Sequence, residues 1–105
     1  MTLHDAELLM HQLMEKHGVV GVTFRWRKRL KRWGALGSYH HQKKTISLQP
    51  NFVELNSDEA VTEVMLHEIA HALTPNHRHN KYWKAKAVEI GCKPDKTFRG
   101  ELKYN

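Results

Sequence analysis

Residues 67–71 read His67-Glu68-Ile69-Ala70-His71, and no other feature constrains the fold as strongly. For these polar groups to act together the pentad must lie on a helix. Side chains at i and i+4 of an α-helix stand one above the other, so both imidazoles reach one point and Glu68 lies beside them. Two histidines at this spacing with an adjacent carboxylate are the arrangement that binds a zinc ion and sets a general base next to its water. The flanks support the helix. Val61, Val64, Met65, Leu66, Ile69, Ala72 and Leu73 recur at helical spacing. Asn56 and Ser57 are N-cap candidates, Asp58 and Glu59 suit a first turn, and Thr74-Pro75-Asn76 ends the run. The predicted helix covers about 58–74. Polar groups on so apolar a helix need partners, because an unpaired buried polar group is costly, and a metal ion satisfies both histidines.

Ahead of this helix the hydrophobic period changes. Leu3, Ala6, Leu9, Met10, Leu13 and Met14 recur at threes and fours, predicting a helix over 4–17 that Gly18 closes. Val20, Val22, Phe24 and Trp26 then alternate with Gly21, Thr23, Arg25 and Arg27, the pattern of a half-buried strand. Residues 27–31 read as a loop or hairpin tip, and 33–39 as a second strand weakened by Gly34 and Gly37. Residues 40–43 form a turn, Thr45-Ile46-Ser47-Leu48 a third strand stopped by Pro50, and 51–56 a lead into the motif helix. A last helix over about 80–90 has Trp83, Ala87 and Ile90 as its inner face and Gly91 as its stop; 92–105 show little periodicity. The order helix, strands, helix, helix gives an α+β class.

The 105 residues suffice for one domain with one modest core. No apolar run approaches the roughly 18–20 residues that span a bilayer, and Met1-Thr2-Leu3-His4-Asp5 has no charged region followed by an apolar stretch. Cys92 is the only cysteine, so no internal disulfide forms. A cytoplasmic protein is expected. Net charge is +6 and unevenly placed, for no acid occurs between Glu15 and Glu54. That window holds Arg25, Arg27, Lys28, Arg29, Lys31 and Arg32 in the tract 25–33, which also carries Trp26 and Trp33. Such asymmetry points to an anionic partner, nucleic acid first. Arginines would grip phosphates and tryptophans stack on bases. The plain alternative is a solvated basic hairpin, and Trp26 falls on the apolar face of its strand, which makes it a core residue.

A catalytic zinc commonly takes three protein ligands and keeps one position open. Two histidines compete for third place. His77 follows His67 by ten residues, the metzincin spacing HExxHxxGxxH, yet Thr74 stands where that pattern has its glycine and no Met follows Met65. His79 follows His71 by eight, near the start of the last helix. At this point the residues resemble a known family. Val64-Met65-Leu66-His67-Glu68-Ile69-Ala70-His71-Ala72-Leu73, followed by His79-Asn80-Lys81-Tyr82-Trp83, is similar to the SprT-like zinc metallopeptidase domain, the family that includes the Spartan protease. The resemblance covers roughly 20–92. It implies a zincin-like fold of an N-terminal helix, a small three-stranded sheet, the motif helix and a following helix.

It also implies that His67, His71 and His79 bind one zinc ion and that Glu68 is the base, with His77 a nearby non-ligand touching substrate. Two departures stand out. Asn80 occupies a position often small or acidic, and the Cys-rich zinc ribbon that often follows the domain is missing. The minimal form points to a bacterial or bacteriophage protein, and loss of the ribbon weakens the case for DNA recruitment. The implied reaction is peptide hydrolysis by zinc-activated water, on protein or peptide substrates that include DNA-associated proteins, with a substrate strand paired to a sheet edge. His77, Tyr39, Tyr82 and Arg78 are candidate oxyanion donors. Imidazole sites also take manganese, cobalt or nickel. Two rival readings are a closed structural zinc with Cys92 as fourth ligand and a basic nucleic-acid-binding module whose metal site is vestigial.

Overall fold

The structure, a computed structural model, describes residues 1–28 and 36–92. Its elements are α1 (Leu3–Lys16), β1 (Thr23–Trp26), β2 (Gly37–His40), β3 (Thr45–Leu48), α2 (Pro50–Leu55), α3 (Asp58–Leu73) and α4 (Lys81–Glu89). The class is α+β, as the order of periodicities predicts. Residues 29–35, which hold Arg29, Lys31, Arg32 and Trp33, and the tail 93–105 lie outside the described residues.

α3 forms because its ends are capped and three of its sides are covered. The Ser57 hydroxyl accepts from Ala60 N–H at 3.2 Å, a cap worth about 1 kcal/mol. Asn56, the other cap candidate, instead closes α2, its Nδ2 donating to the Phe52 carbonyl at 3.0 Å. At the far end Thr74 Oγ1 donates to the Ala70 carbonyl at 2.7 Å. Val61, Val64, Met65 and Ile69 join Ala6, Met10 and Met14 of α1, Ile46 and Leu48 of β3, and Phe52 and Val53 of α2 in the main core. Leu66 and Ala70 face a second cluster with Trp83, Ala87 and Cys92. What remains of the helix surface carries His67, Glu68 and His71.

The sheet order is β1-β3-β2, with β1 parallel and β2 antiparallel to β3. β1 and β2 are therefore not hairpin partners; of the expected loop or hairpin tip at 27–31, residues 29–31 lie outside the described residues. Burial explains the order. Ile46, Ser47 and Leu48 are all buried, which suits a central strand, whereas Thr23 and Arg25 of β1 are exposed and suit an edge. The predicted alternation also runs too far toward the N-terminus. Pairing begins at Thr23 because β3 offers only four residues, and Val20 beyond it is 88% exposed. The inward face is as expected, with Val22, Phe24 and Trp26 packed on the core.

Pro50 does more than stop β3. It opens α2 at the first helical turn, where its missing N–H is no loss. β2 forms the other edge of the sheet and lies against α3 through Gly37. A Cβ there would stand 2.9 Å from Leu48 Cδ2 and 3.2 Å from Val64 Cγ1, so only glycine permits this approach. Among the described residues, no helix is long and apolar enough to cross a membrane.

Candidate metal centre

Three imidazole nitrogens converge at the open side of α3. His67 Nε2 and His71 Nε2 are 3.3 Å apart, His71 and His79 Nε2 2.9 Å, and His67 and His79 Nε2 3.1 Å. Protons alone cannot satisfy this triangle. A neutral ring nitrogen either donates or accepts, and among three at least two are alike, so one edge opposes donor to donor or lone pair to lone pair. A single cation takes all three lone pairs. Nitrogens bound tetrahedrally to one zinc at about 2.0–2.1 Å stand about 3.3–3.4 Å apart, which these edges approach. The donor set thus fits a metal ion, and His67, His71 and His79 are positioned to hold one.

The first two histidines come from one helical face. The third is delivered by the turn after Thr74, where His79 adopts a left-handed φ of 53°. Asn80 then caps α4, its Oδ1 accepting from Tyr82 and Trp83 N–H at 3.0 and 3.2 Å. The residue that departs from the family pattern therefore starts the helix that carries the floor of the site. That floor is Trp83, fully buried, its ring 4.8, 5.3 and 4.7 Å from those of His67, His71 and His79. The main chain of His77 lies beside the His71 ring and opposes part of the fall in its proton affinity.

Burial decides the protonation states. It lowers His67 to about 4, with the His79 ring adding to the effect. His71 falls to about 3, again chiefly through burial, then through His67 and His79. Both are neutral near pH 7, as ligation requires. Glu68 is 6% exposed, and burial raises it to about 8.

The SprT-like family profile matches residues 4–101. The chain belongs to the SprT-like family. Among solved structures it is similar to the metallopeptidase zymogen jannalysin of Methanocaldococcus jannaschii, with a TM-score of 0.68, 14% identity, and 80% of this chain and 79% of that one covered. It is also similar to the metallopeptidase zymogen abylysin of Pyrococcus abyssi, with a TM-score of 0.66, 23% identity, and coverage of 82% and 78%. No curated protein matches the sequence. At these identities the likeness is one of fold, and this SprT-like chain shares the α+β fold of those two metallopeptidases.

A cleft of about 730 Å³ opens over the triangle. Glu68, Tyr39, His77 and Arg78 line it. Tyr82 does not; its ring lies 4.6 Å from that of His77, outside the cleft, under the Lys81 ammonium. His77 stays out of the triangle, its Nδ1 3.0 Å from Asn80 Nδ2. Of the basic tract, Arg25 and Arg27 line the cleft, and Lys28 is exposed. Trp26 sends Nε1 to Glu7 Oε1 of α1 at 2.9 Å. Cys92 Sγ lies 3.6 Å from Glu63 Oε2, in the cluster on the far side of Trp83 and away from the three imidazoles. Two contributors were not visible as such in the sequence: Gly37, and Trp83 as a floor shared by all three histidines.

Proposed function

We propose that this SprT-like chain is a zinc-dependent endopeptidase, with His67, His71 and His79 as ligands of one zinc ion and Glu68 as general base. The observation that carries the reading is the triangle of three Nε2 atoms with a buried carboxyl on the same helix. Zinc in such a site is a Lewis acid that polarises the scissile carbonyl and lowers the pKa of a water to about 7.

The chain's own groups do the rest. Glu68 takes a proton from the attacking water at a carboxylate oxygen and passes it to the leaving amine nitrogen. Its burial raises its proton affinity, and a cation bound beside it would lower that affinity and favour the carboxylate that accepts the proton. The edge of β2 can receive an extended substrate by main-chain pairing. Tyr39, which burial keeps protonated, and His77 and Arg78 offer donors to the developing oxyanion. Proteins held on DNA are the substrates the family resemblance implies. The rival reading of a closed structural zinc requires the Cys92 thiolate at the triangle, whereas Cys92 packs beside Glu63.

The test is metal content and proteolysis, with and without DNA, for wild type, Glu68→Gln and His79→Ala. The expected result is one zinc and cleavage for wild type, zinc without cleavage for Glu68→Gln, and loss of both for His79→Ala. A wild type that holds zinc and cleaves nothing under either condition overturns the proposal.

A further inference from the structure

We propose that the cleft selects its substrates by charge, and that Arg25, Arg27, Lys43 and Arg78 make it a receptor for polypeptide segments bearing Asp or Glu beside the cleaved bond. This rests on the peptidase reading of the same site. Four cationic side chains line one cleft, and among the described residues its only carboxyl is Glu68, which is buried. None of the four has an ion-pair partner among the described residues; the ion pairs there join Met1 to Asp58 and Lys86 to Glu89.

The cations reach the cleft from separate elements. Arg25 and Arg27 come from β1 and its end, Lys43 from the turn between β2 and β3, and Arg78 from the turn that delivers His79. In the sheet, Arg25 is level with Ser47, and Ser47 with Ser38 of β2. Both neighbours are short, so the guanidinium can lie across the sheet toward the β2 edge. Cations in a concave wall focus their field. They favour a substrate carboxylate and oppose a substrate lysine, which discriminates in both directions.

A polypeptide is favoured over a nucleic acid as the occupant. A β2 edge supplies main-chain pairing to a peptide. Sequence-tolerant nucleic-acid binding needs exposed aromatic faces for base stacking, and the one described tryptophan of the basic tract is turned to α1, against Glu7 and Phe24.

The experiment measures binding to zinc-loaded Glu68→Gln protein by fluorescence anisotropy. The probes are a Glu-containing peptide, its Gln and Lys counterparts, and an oligothymidylate of matched charge. Cleavage of the same peptides by wild type is measured in parallel. The Glu peptide is expected to bind roughly tenfold more tightly than the Gln peptide at low salt. Arg25→Glu with Arg27→Glu is expected to reverse the order in favour of the Lys peptide at unchanged zinc content. Equal binding of the Glu and Gln peptides overturns the proposal even where wild type cleaves both. Selective binding of the Glu peptide with no cleavage supports the acidic-segment site and removes the peptidase reading instead. An oligothymidylate that displaces the Glu peptide through the same arginines overturns it in favour of nucleic acid.

Discussion

A Cβ on Gly37 would stand 3.3 Å from Cγ of Glu68, so the strand at the cleft edge and the proposed base approach as closely as the backbone allows. The φ of Gly37 is not positive; glycine is required here for space, not for conformation. In Gly37→Ala the new methyl also meets Leu48 Cδ2 and Val64 Cγ1, both in the core, and overpacking of this kind costs about 1–3 kcal/mol. Glu68 or β2 must yield. The expected outcome is a melting temperature lower by roughly 5–15 °C and a fall in kcat larger than any change in KM, with zinc content unchanged. Steady-state kinetics beside metal analysis checks this, and an unaltered kcat removes Gly37 from the positioning of the base.

Trp83 should matter to both stability and metal. Its indole is fully buried under three imidazoles, and its Nε1 has no hydrogen-bond partner among the described residues. Trp83→Ala should cost about 3–5 kcal/mol through the cavity it leaves. Trp83→Phe removes the unpaired N–H as well as volume, so it should cost less than half as much. Both variants free the histidine rings to turn and should weaken zinc binding. Denaturant melts and competition with a chromogenic chelator measure the two effects. Zinc affinity equal to wild type in both variants would show that the rings hold their positions without the indole.

Asn80→Ala tests whether the residue that departs from the family pattern is a structural device. The change removes the acceptor for Tyr82 and Trp83 N–H and the group beside His77 Nδ1. Loss of such a cap costs about 1 kcal/mol. Asn80→Asp keeps the acceptor and should retain most of that stability, which thermal melts of the two variants would reveal. Equal melting temperatures for the Ala and Asp variants count against the cap.

Most of this architecture is legible because the sequence writes it locally. Ser57, Thr74 and the apolar spacing of Val61 through Leu73 define α3 to within a residue, and i, i+4 geometry alone brings His67 and His71 together. His79 is less accessible, since it reaches the triangle through a left-handed turn that no periodicity reports. Strand order is non-local. Thr45–Leu48 is short and looks peripheral, and its central place follows only from its burial within the main core, which depends on α1, α2 and α3. Gly37 reads as a weak strand residue until the helix it touches is known. α2 was concealed by Pro50, which ends a strand and opens a helix equally well.

The metal-free protein should have a stability maximum near pH 6.5. His67 and His71 titrate at about 4 and about 3 when folded, against 6.5 for an ordinary histidine. Below 6.5 the unfolded chain binds two protons that the folded chain refuses, so these groups remove stability as pH falls. Glu68 works oppositely, for its folded value of about 8 exceeds the ordinary 4.5. From 4.5 to 8 the folded chain binds one proton that the unfolded chain does not, and that contribution is lost as pH rises. Between 4.5 and 6.5 the balance is one proton in favour of unfolding, and between 6.5 and 8 it is one proton the other way. Each limb should therefore slope by about 1.4 kcal/mol per pH unit. Glu68→Gln should abolish the alkaline limb and steepen the acid one. Denaturant unfolding of chelator-treated protein from pH 4.5 to 8 measures both limbs. A flat profile in wild type, or an alkaline limb that survives Glu68→Gln, would show that these three groups are solvated in the folded chain and do not form a buried cluster.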